Sequence, residues 1–466
     1  MVVQGNAGRT DIGDRVTCVI PLFSTKQQAQ LNRALFNSQP PNLKFHDIFP
    51  TMRVATIANF LASASLAIAF DWQQVLGDND RAPLSSESKS TDAPSYRSEL
   101  LSLHKSLIET SSVSGTEHDV GVWLESYLKD KGYTTSRQEL DPFENTPDKK
   151  PRFNVLAWRP DGKSAFDPKI VVSSHIDVVP PHIPYGIDDG EVTKDTMITG
   201  RGSVDAKGSV AAQITAVEDL VEQDKIDPHK ILLVFVVGEE VKGDGMKRFS
   251  TALEEKELPY NLDAVIFGEP TELKLACGHK GMLGCDVITK GFPGHSGYPW
   301  LGKSANELMI RAFAKVLDTD LGSSDLFGNT TVNVGRWSGG VASNVIPEEA
   351  RVGLAVRVAS GKQADGHIAV HDKIQAIFDE VDKDAFTFDC THGYGPVEAN
   401  CDVDGFEKIT VNYGTDIPNL KGSHERYLYG PGNILVAHGA RENLTVADLE
   451  TAVKGYQKLI LHALKQ

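Results

Sequence analysis

The sequence predicts an α/β fold: a main domain with a mostly parallel sheet flanked by helices, and a smaller α+β domain inserted into it. Three observations carry this. Apolar, β-branched runs at Ile170-Val171-Val172, at 231–237 and at Ala264-Val265-Ile266-Phe267 read as strands buried on both faces, the pattern of a parallel sheet. These runs end in polar stretches, Ser174-His175-Ile176-Asp177, Gly238-Glu239-Glu240 and Gly268-Glu269-Pro270, and a fourth such stretch is Gly202-Ser203-Val204-Asp205. Between 284 and 399 the pattern changes to alternating strands with two amphipathic helices, near 304–317 and 368–382.

From its start, the chain reads as follows. Its 466 residues are too many for one small domain. The net charge of −16 gives no electrostatic support to nucleic-acid binding and fits a solvated surface. Residues 1–51 show no sustained period. Met52-Arg53 and the apolar stretch 54–70 resemble a secretory leader over 52–69, with Ala67-Ile68-Ala69 as the small-x-small cleavage site. The stretch is too short and too rich in Ala and Ser for a convincing membrane span. A leader belongs at an N-terminus, so Met52 is expected to be the initiator and 1–51 a non-mature upstream segment. The rival is a signal anchor with 1–51 on the cytoplasmic side.

Residues 70–95 form a lead-in, rich in Ser, Asp and Pro over 76–95. The first part of the main domain is then expected over 96–283. A helix should start near Tyr96, with Leu100, Leu101, Leu103 and Leu107 on one face, and a second should cover about 117–131, stopped by Gly132. The second part of the main domain is expected over 400–466. Of five cysteines, Cys18 lies upstream, leaving Cys277, Cys285, Cys390 and Cys401. Cys390 and Cys401 flank a turn-rich stretch that a local bridge could close. The other reading is four buried thiols, and pairing is not fixed by sequence. Asn329-Thr330-Thr331 and Asn443-Leu444-Thr445 are glycosylation acceptors if the chain is exported.

Ligand sites in open α/β sheets gather beyond the carboxyl ends of strands. His175, Asp177, Asp205, Glu239, Glu240 and Glu269 should therefore converge. So many carboxylates in one pocket would repel and resist ionising. Divalent cations remove the problem, and more carboxylates than one ion needs suggests two ions sharing a bridge. The competing reading is that each acid merely caps a strand end in solvent.

The order His-x-Asp, Asp-Ala-Lys-Gly, Glu-Glu, then Gly-Glu-Pro-Thr resembles the co-catalytic zinc metallopeptidase family of carboxypeptidase G, aminoacylase, acetylornithine deacetylase and succinyl-diaminopimelate desuccinylase. The resemblance runs from about Ser95 to the C-terminus. It implies a catalytic domain, with the 284–399 insert acting as a lid or dimerisation domain. It implies two zinc ions per subunit, with cobalt or manganese as alternatives because O/N sites bind several metals. His175, Asp205 and Glu269 would hold one ion. Asp205, Glu240 and His438 would hold the other, His438 following the closing Gly430-Pro431-Gly432 motif. Asp177 would orient His175, and Glu239 would be the general base. His295, within Gly294-His295-Ser296-Gly297, would stabilise the oxyanion, often in the partner subunit's site. Asn344 and Arg357 would hold the substrate carboxylate, where a guanidinium binds as a fork. The family's Pro-Asp-Glu-like segment after the last histidine is here Gly439-Ala440-Arg441-Glu442, which leaves Glu442 without an assigned role.

The implied activity is that of a secreted carboxypeptidase hydrolysing the amide bond next to a free carboxylate. The substrate is a peptide or N-acyl amino acid, with no nucleic acid, no stable membrane association and a homodimer through the insert. Alternatives are an N-acyl amino acid deacylase of the acetylornithine type and a catalytically silent binding protein on the same fold. Export favours the first, since biosynthetic deacylases act on intracellular metabolites. The presence of the base, the bridge and every ligand disfavours the last.

Overall fold

The computed structural model describes residues 93–465 apart from 145, 147–148 and 161–165. The upstream segment 1–51, the leader over 52–69 and most of the lead-in lie outside the described residues. Helices α1 (Arg97–Glu109) and α2 (His118–Asp130) open the main domain, followed by strands β1 (Thr134–Leu140), β2 (Arg152–Trp158) and β3 (Ile170–His175). Helix α3 (Lys207–Glu222), β4 (Ile231–Val236), α4 (Asp244–Glu254), β5 (Ala264–Gly268) and β6 (Leu275–His279) complete its first part.

The chain then leaves the sheet and builds β7 (Gly281–Lys290), α5 (Ala305–Asp318), β8 (Thr331–Gly339), β9 (Glu349–Val358), α6 (Gly366–Val381) and β10 (Phe386–Tyr394). It returns with β11 (Val397–Glu398), β12 (Lys408–Val411), β13 (Glu425–Tyr429) and α7 (Val446–Ala463). The crossings thus fall at Lys280 and between Tyr394 and Val397, a few residues from 284 and 399. They are displaced because β6 and β7 form one nearly continuous extended run.

The large sheet has the order β1-β2-β4-β3-β5-β13-β6-β11, with β12 also beside β6. Its centre, β4-β3-β5-β13, is parallel, while β1, β2 and the β6–β11 edge are antiparallel, so the sheet is mixed. The apolar runs are continuous because alternate residues serve two cores. Ile170, Val172, Leu233, Phe235 and Ile266 pack with α1, α2, α3 and α7 on one face. Val171, Leu232, Val234, Val265 and Phe267 pack with Met246 and Phe249 of α4 on the other. Each such side chain contributes roughly 1.5–3 kcal/mol by burial.

The inserted sheet, β8-β9-β7-β10, is antiparallel, and α5 and α6 cover one face around Phe313 and Phe378. Ser304 caps α5 by accepting the Glu307 amide at 3.2 Å. Among the described residues no helix is long and apolar enough to cross a membrane.

The cysteines pair as Cys277–Cys401 and Cys285–Cys390. The local Cys390–Cys401 bridge and the four-thiol reading are both corrected. Antiparallel register sets Cys390 on β10 directly opposite Cys285 on β7, whereas Cys277 on β6 meets the stretch after β11 through the Ala399 amide. Of the two sequons, Asn329 is exposed. Asn443 donates its side-chain amide to the Arg441 carbonyl, and Thr445 is the N-cap of α7.

Candidate metal centre

The site lies beyond the carboxyl ends of β3, β4 and β5. His175 ends β3 and is almost wholly buried. Its Nε2 stands 3.2 Å from Asp205 Oδ1 and 3.9 Å from Glu269 Oε2. His438 Nε2 stands 3.2 Å from the other Asp205 oxygen and 3.0 Å from Glu240 Oε2. Asp205 therefore presents one oxygen to each histidine, the geometry a bridging carboxylate needs. Ligand atoms of His175, Asp205 and Glu269 lie within 4.8 Å of one another, as do those of Asp205, Glu240 and His438.

The electrostatics match a site built around cations. Burial and the Glu269 charge hold Glu239 well above the usual carboxylate range. Burial, joined by the Asp205 charge, raises Glu240, and burial raises Glu269 despite nearby His175. Hydrogen bonds to Asp205 and Glu240 push His438 up to about 10. Among the described residues Glu240 Oε1 is buried with no hydrogen-bond partner, a costly state for a carboxylate oxygen. Two imidazoles with carboxylates form an N/O donor set that suits divalent ions. The residues present fit such a pair.

Asp177 serves both His175 and the turn after β4. The His175 Nδ1 bonds to the main-chain carbonyl of Asp177 at 2.9 Å, while the carboxylate stands 3.6 Å away. That carboxylate accepts the Ser114 hydroxyl at 2.7 Å and the backbone amides of Glu239 and Glu240 at 3.1 and 3.2 Å. Asp177 thus fixes the turn after β4, where Gly238 takes φ +74, and so aims the Glu239–Glu240 pair.

Glu442 is the residue that sequence reasoning left out. It is buried, and one oxygen accepts the amides of Gly202, Val204 and Asp205 at 2.9, 3.0 and 3.2 Å. The other accepts Arg201 Nη1 at 2.6 Å, and Arg201 Nη2 reaches the His438 carbonyl. One carboxylate therefore ties the loop carrying Asp205 to the segment carrying His438. The only signal in sequence was an acid four residues after His438. His438 itself follows a 3-10 turn (Ile434–Val436), not a strand, and takes φ +60. Tyr413 donates to the Pro270 carbonyl at 2.9 Å and steadies the turn after Glu269.

The remaining expected residues lie in the inserted domain. His295 and Asn344 sit side by side and exposed: Gly294–His295 pairs with Val345–Ile346, and the Ser296 amide donates to the Asn344 carbonyl. Among the described residues no side-chain hydrogen bond or ion pair joins either to the ligand cluster. Arg357, half-buried on β9, forms no ion pair among the described residues, and its Nη1 lies 3.6 Å from Met282 Sδ.

This fold, with a histidine–carboxylate cluster at the sheet's carboxyl edge and an inserted second sheet, defines the class: the chain belongs to the M20 peptidase family. Residues 277–385 match the family model for the peptidase dimerisation domain. An M20 domain-containing peptidase of Sordaria macrospora is 55% identical over 393 residues, 80% of this chain and 86% of that protein. A probable carboxypeptidase of Aspergillus oryzae is 45% identical over 388 residues, 79% and 88% of the two chains. Among solved structures, a Staphylococcus aureus tripeptidase superposes with TM-score 0.62 at 19% identity, covering 79% of this chain and 99% of that one. An M20 metallo-carboxypeptidase of Sulfolobus solfataricus superposes with TM-score 0.60 at 15% identity, covering 78% and 99%.

Proposed function

We propose that this peptidase is a two-metal carboxypeptidase that hydrolyses the amide bond next to a substrate's free carboxylate. The observation that carries this is Asp205, with one oxygen facing His175 and the other facing His438. His175, Asp205 and Glu269 would hold one ion, and Asp205, Glu240 and His438 the other, zinc being the first choice and cobalt or manganese the alternatives. Bound there, such ions would polarise the amide carbonyl and lower the pKa of water.

The protein's own groups do the rest. Glu239, aimed by Asp177, takes a proton from the attacking water at its carboxylate and delivers it to the leaving nitrogen. Arg357 grips the terminal carboxylate as a fork. His295 and Asn344, on the exposed part of the inserted domain, reach a second subunit's site in a homodimer, where His295 stabilises the oxyanion. The naming of the Aspergillus relatives supports a carboxypeptidase over an N-acyl amino acid deacylase.

The test is a dipeptide offered free and C-terminally amidated. A charged group left without its partner costs roughly 1.5–3 kcal/mol, so amidation should lower kcat/KM by about tenfold to a hundredfold. Arg357→Ala should lose most of that difference. Equal cleavage of both forms by the unmodified enzyme would sink the carboxypeptidase reading and the Arg357 assignment together. N-acetylated amino acids in the same panel separate the deacylase activity.

Export is part of the proposal, supported by the 52–69 leader pattern and the two disulfides, which persist in oxidising compartments. The secreted protein should begin near Phe70. Recovery of peptides from 1–51 in mature protein would overturn this.

A further inference from the structure

Tyr394 carries the next inference. It is paired across the inserted sheet with Met282, and Met282 is paired on its other side with Arg357. Directly paired residues point to the same face. Helices α5 and α6 cover the opposite face, where Leu283 and Val356 are buried. Arg357, Met282 and Tyr394 thus form a row on the face away from those helices, at the end of β7 where the chain enters from the main domain, with Tyr394 packed against the main-domain core.

The polar heads of this row meet at Gly414. A Cβ there would stand 2.4 Å from the Tyr394 hydroxyl and 3.7 Å from Arg357 Nη1. The phenol and the guanidinium therefore flank one point, and a side chain at 414 would block it. Among the described residues the Tyr394 hydroxyl makes no hydrogen bond and Arg357 no ion pair. Thr415, the neighbouring hydroxyl, is already engaged with His279 Nε2 at 3.1 Å and with the Ile417 amide at 3.2 Å. Arg357 Nη1 reaches only the weak acceptor Met282 Sδ, at 3.6 Å, so two donors converge here with no oxygen accepting from either among the described residues.

We infer that Tyr394 is a specificity-determining residue, its hydroxyl donating to the substrate's terminal carboxylate beside the Arg357 fork. A carboxylate has lone pairs left after a bidentate guanidinium has bound, and the phenol stands where one of them would be met. Burial, and then the charge of Glu239, push the phenol pKa far up, so the donor proton stays in place. The inference rests on the carboxypeptidase reading above.

The test uses the full-length, metal-loaded enzyme with free and amidated dipeptide. Tyr394→Phe should lower kcat/KM on the free form by about tenfold, mostly through KM, and leave the amidated form within about twofold. Gly414→Ala, which crowds the phenol without removing it, should narrow the same ratio. A second readout is equilibrium binding of the free dipeptide to Glu239→Gln protein, which Tyr394→Phe should weaken by a similar factor. Equal losses on both substrates would place the phenol at the scissile carbonyl and overturn the inference. No change in either would also overturn it. If the unmodified enzyme fails to discriminate, the carboxypeptidase reading falls first. If it discriminates and Tyr394→Phe does so equally well, only the inference falls.

Discussion

Asp205→Ala is expected to release both metal ions and to abolish hydrolysis. Asp205 is the one side chain shared by the two ligand groups. Without it, His175 keeps only Glu269 and His438 keeps only Glu240 among the expected ligands, and two-ligand sites do not hold zinc well. Metal content measured on the purified variant is the primary readout, with activity second. A variant that kept both ions would show that the bridge has been wrongly assigned. The fold should survive, since the apolar cores on either side of the sheet do not include Asp205.

Glu239→Gln is expected to separate chemistry from metal binding. The amide has nearly the size of the carboxylate but does not take up a proton, so kcat should fall by about 10²–10⁴-fold, the usual share of general acid–base catalysis. Metal content and KM should change little, because Glu239 belongs to neither ligand group. Loss of metal would make Glu239 a ligand, and retained kcat would remove it from proton transfer.

What could be read from the sequence follows from what local pattern encodes. Continuous apolar runs marked β3, β4 and β5 because both faces of those strands are covered. The polar residues closing each run marked the site because strand ends in a parallel sheet open together. Helices α2, α5 and α6 begin and end within a few residues of their expected bounds, since their apolar faces recur at helical spacing.

Other features depended on contacts between distant segments. Cys285 and Cys390 are brought together by strand register. The carboxylate of Asp177 serves the Glu239–Glu240 amides, a use that depends on where the turn after β4 travels. Glu442 acts on backbone amides more than two hundred residues away, and backbone groups carry no sequence signature. The meeting of Tyr394 with Arg357 needs three strands in register. The antiparallel flanks of the main sheet were missed because β1 alternates weakly and β11 is too short to show a period.

The two disulfides have a consequence for covalent topology. Cys285–Cys390 joins the first and last strands of the inserted domain, and Cys277–Cys401 closes a second ring just outside it, across the same neck. A single backbone cut anywhere between 286 and 389 therefore leaves both pieces attached to one molecule. The long exposed edge β8 lies within that span. Nicking there would open a loop without detaching Arg357 or Tyr394 from the domain that carries the metal ligands. An enzyme working among other peptidases would lose a peptide bond and keep its parts.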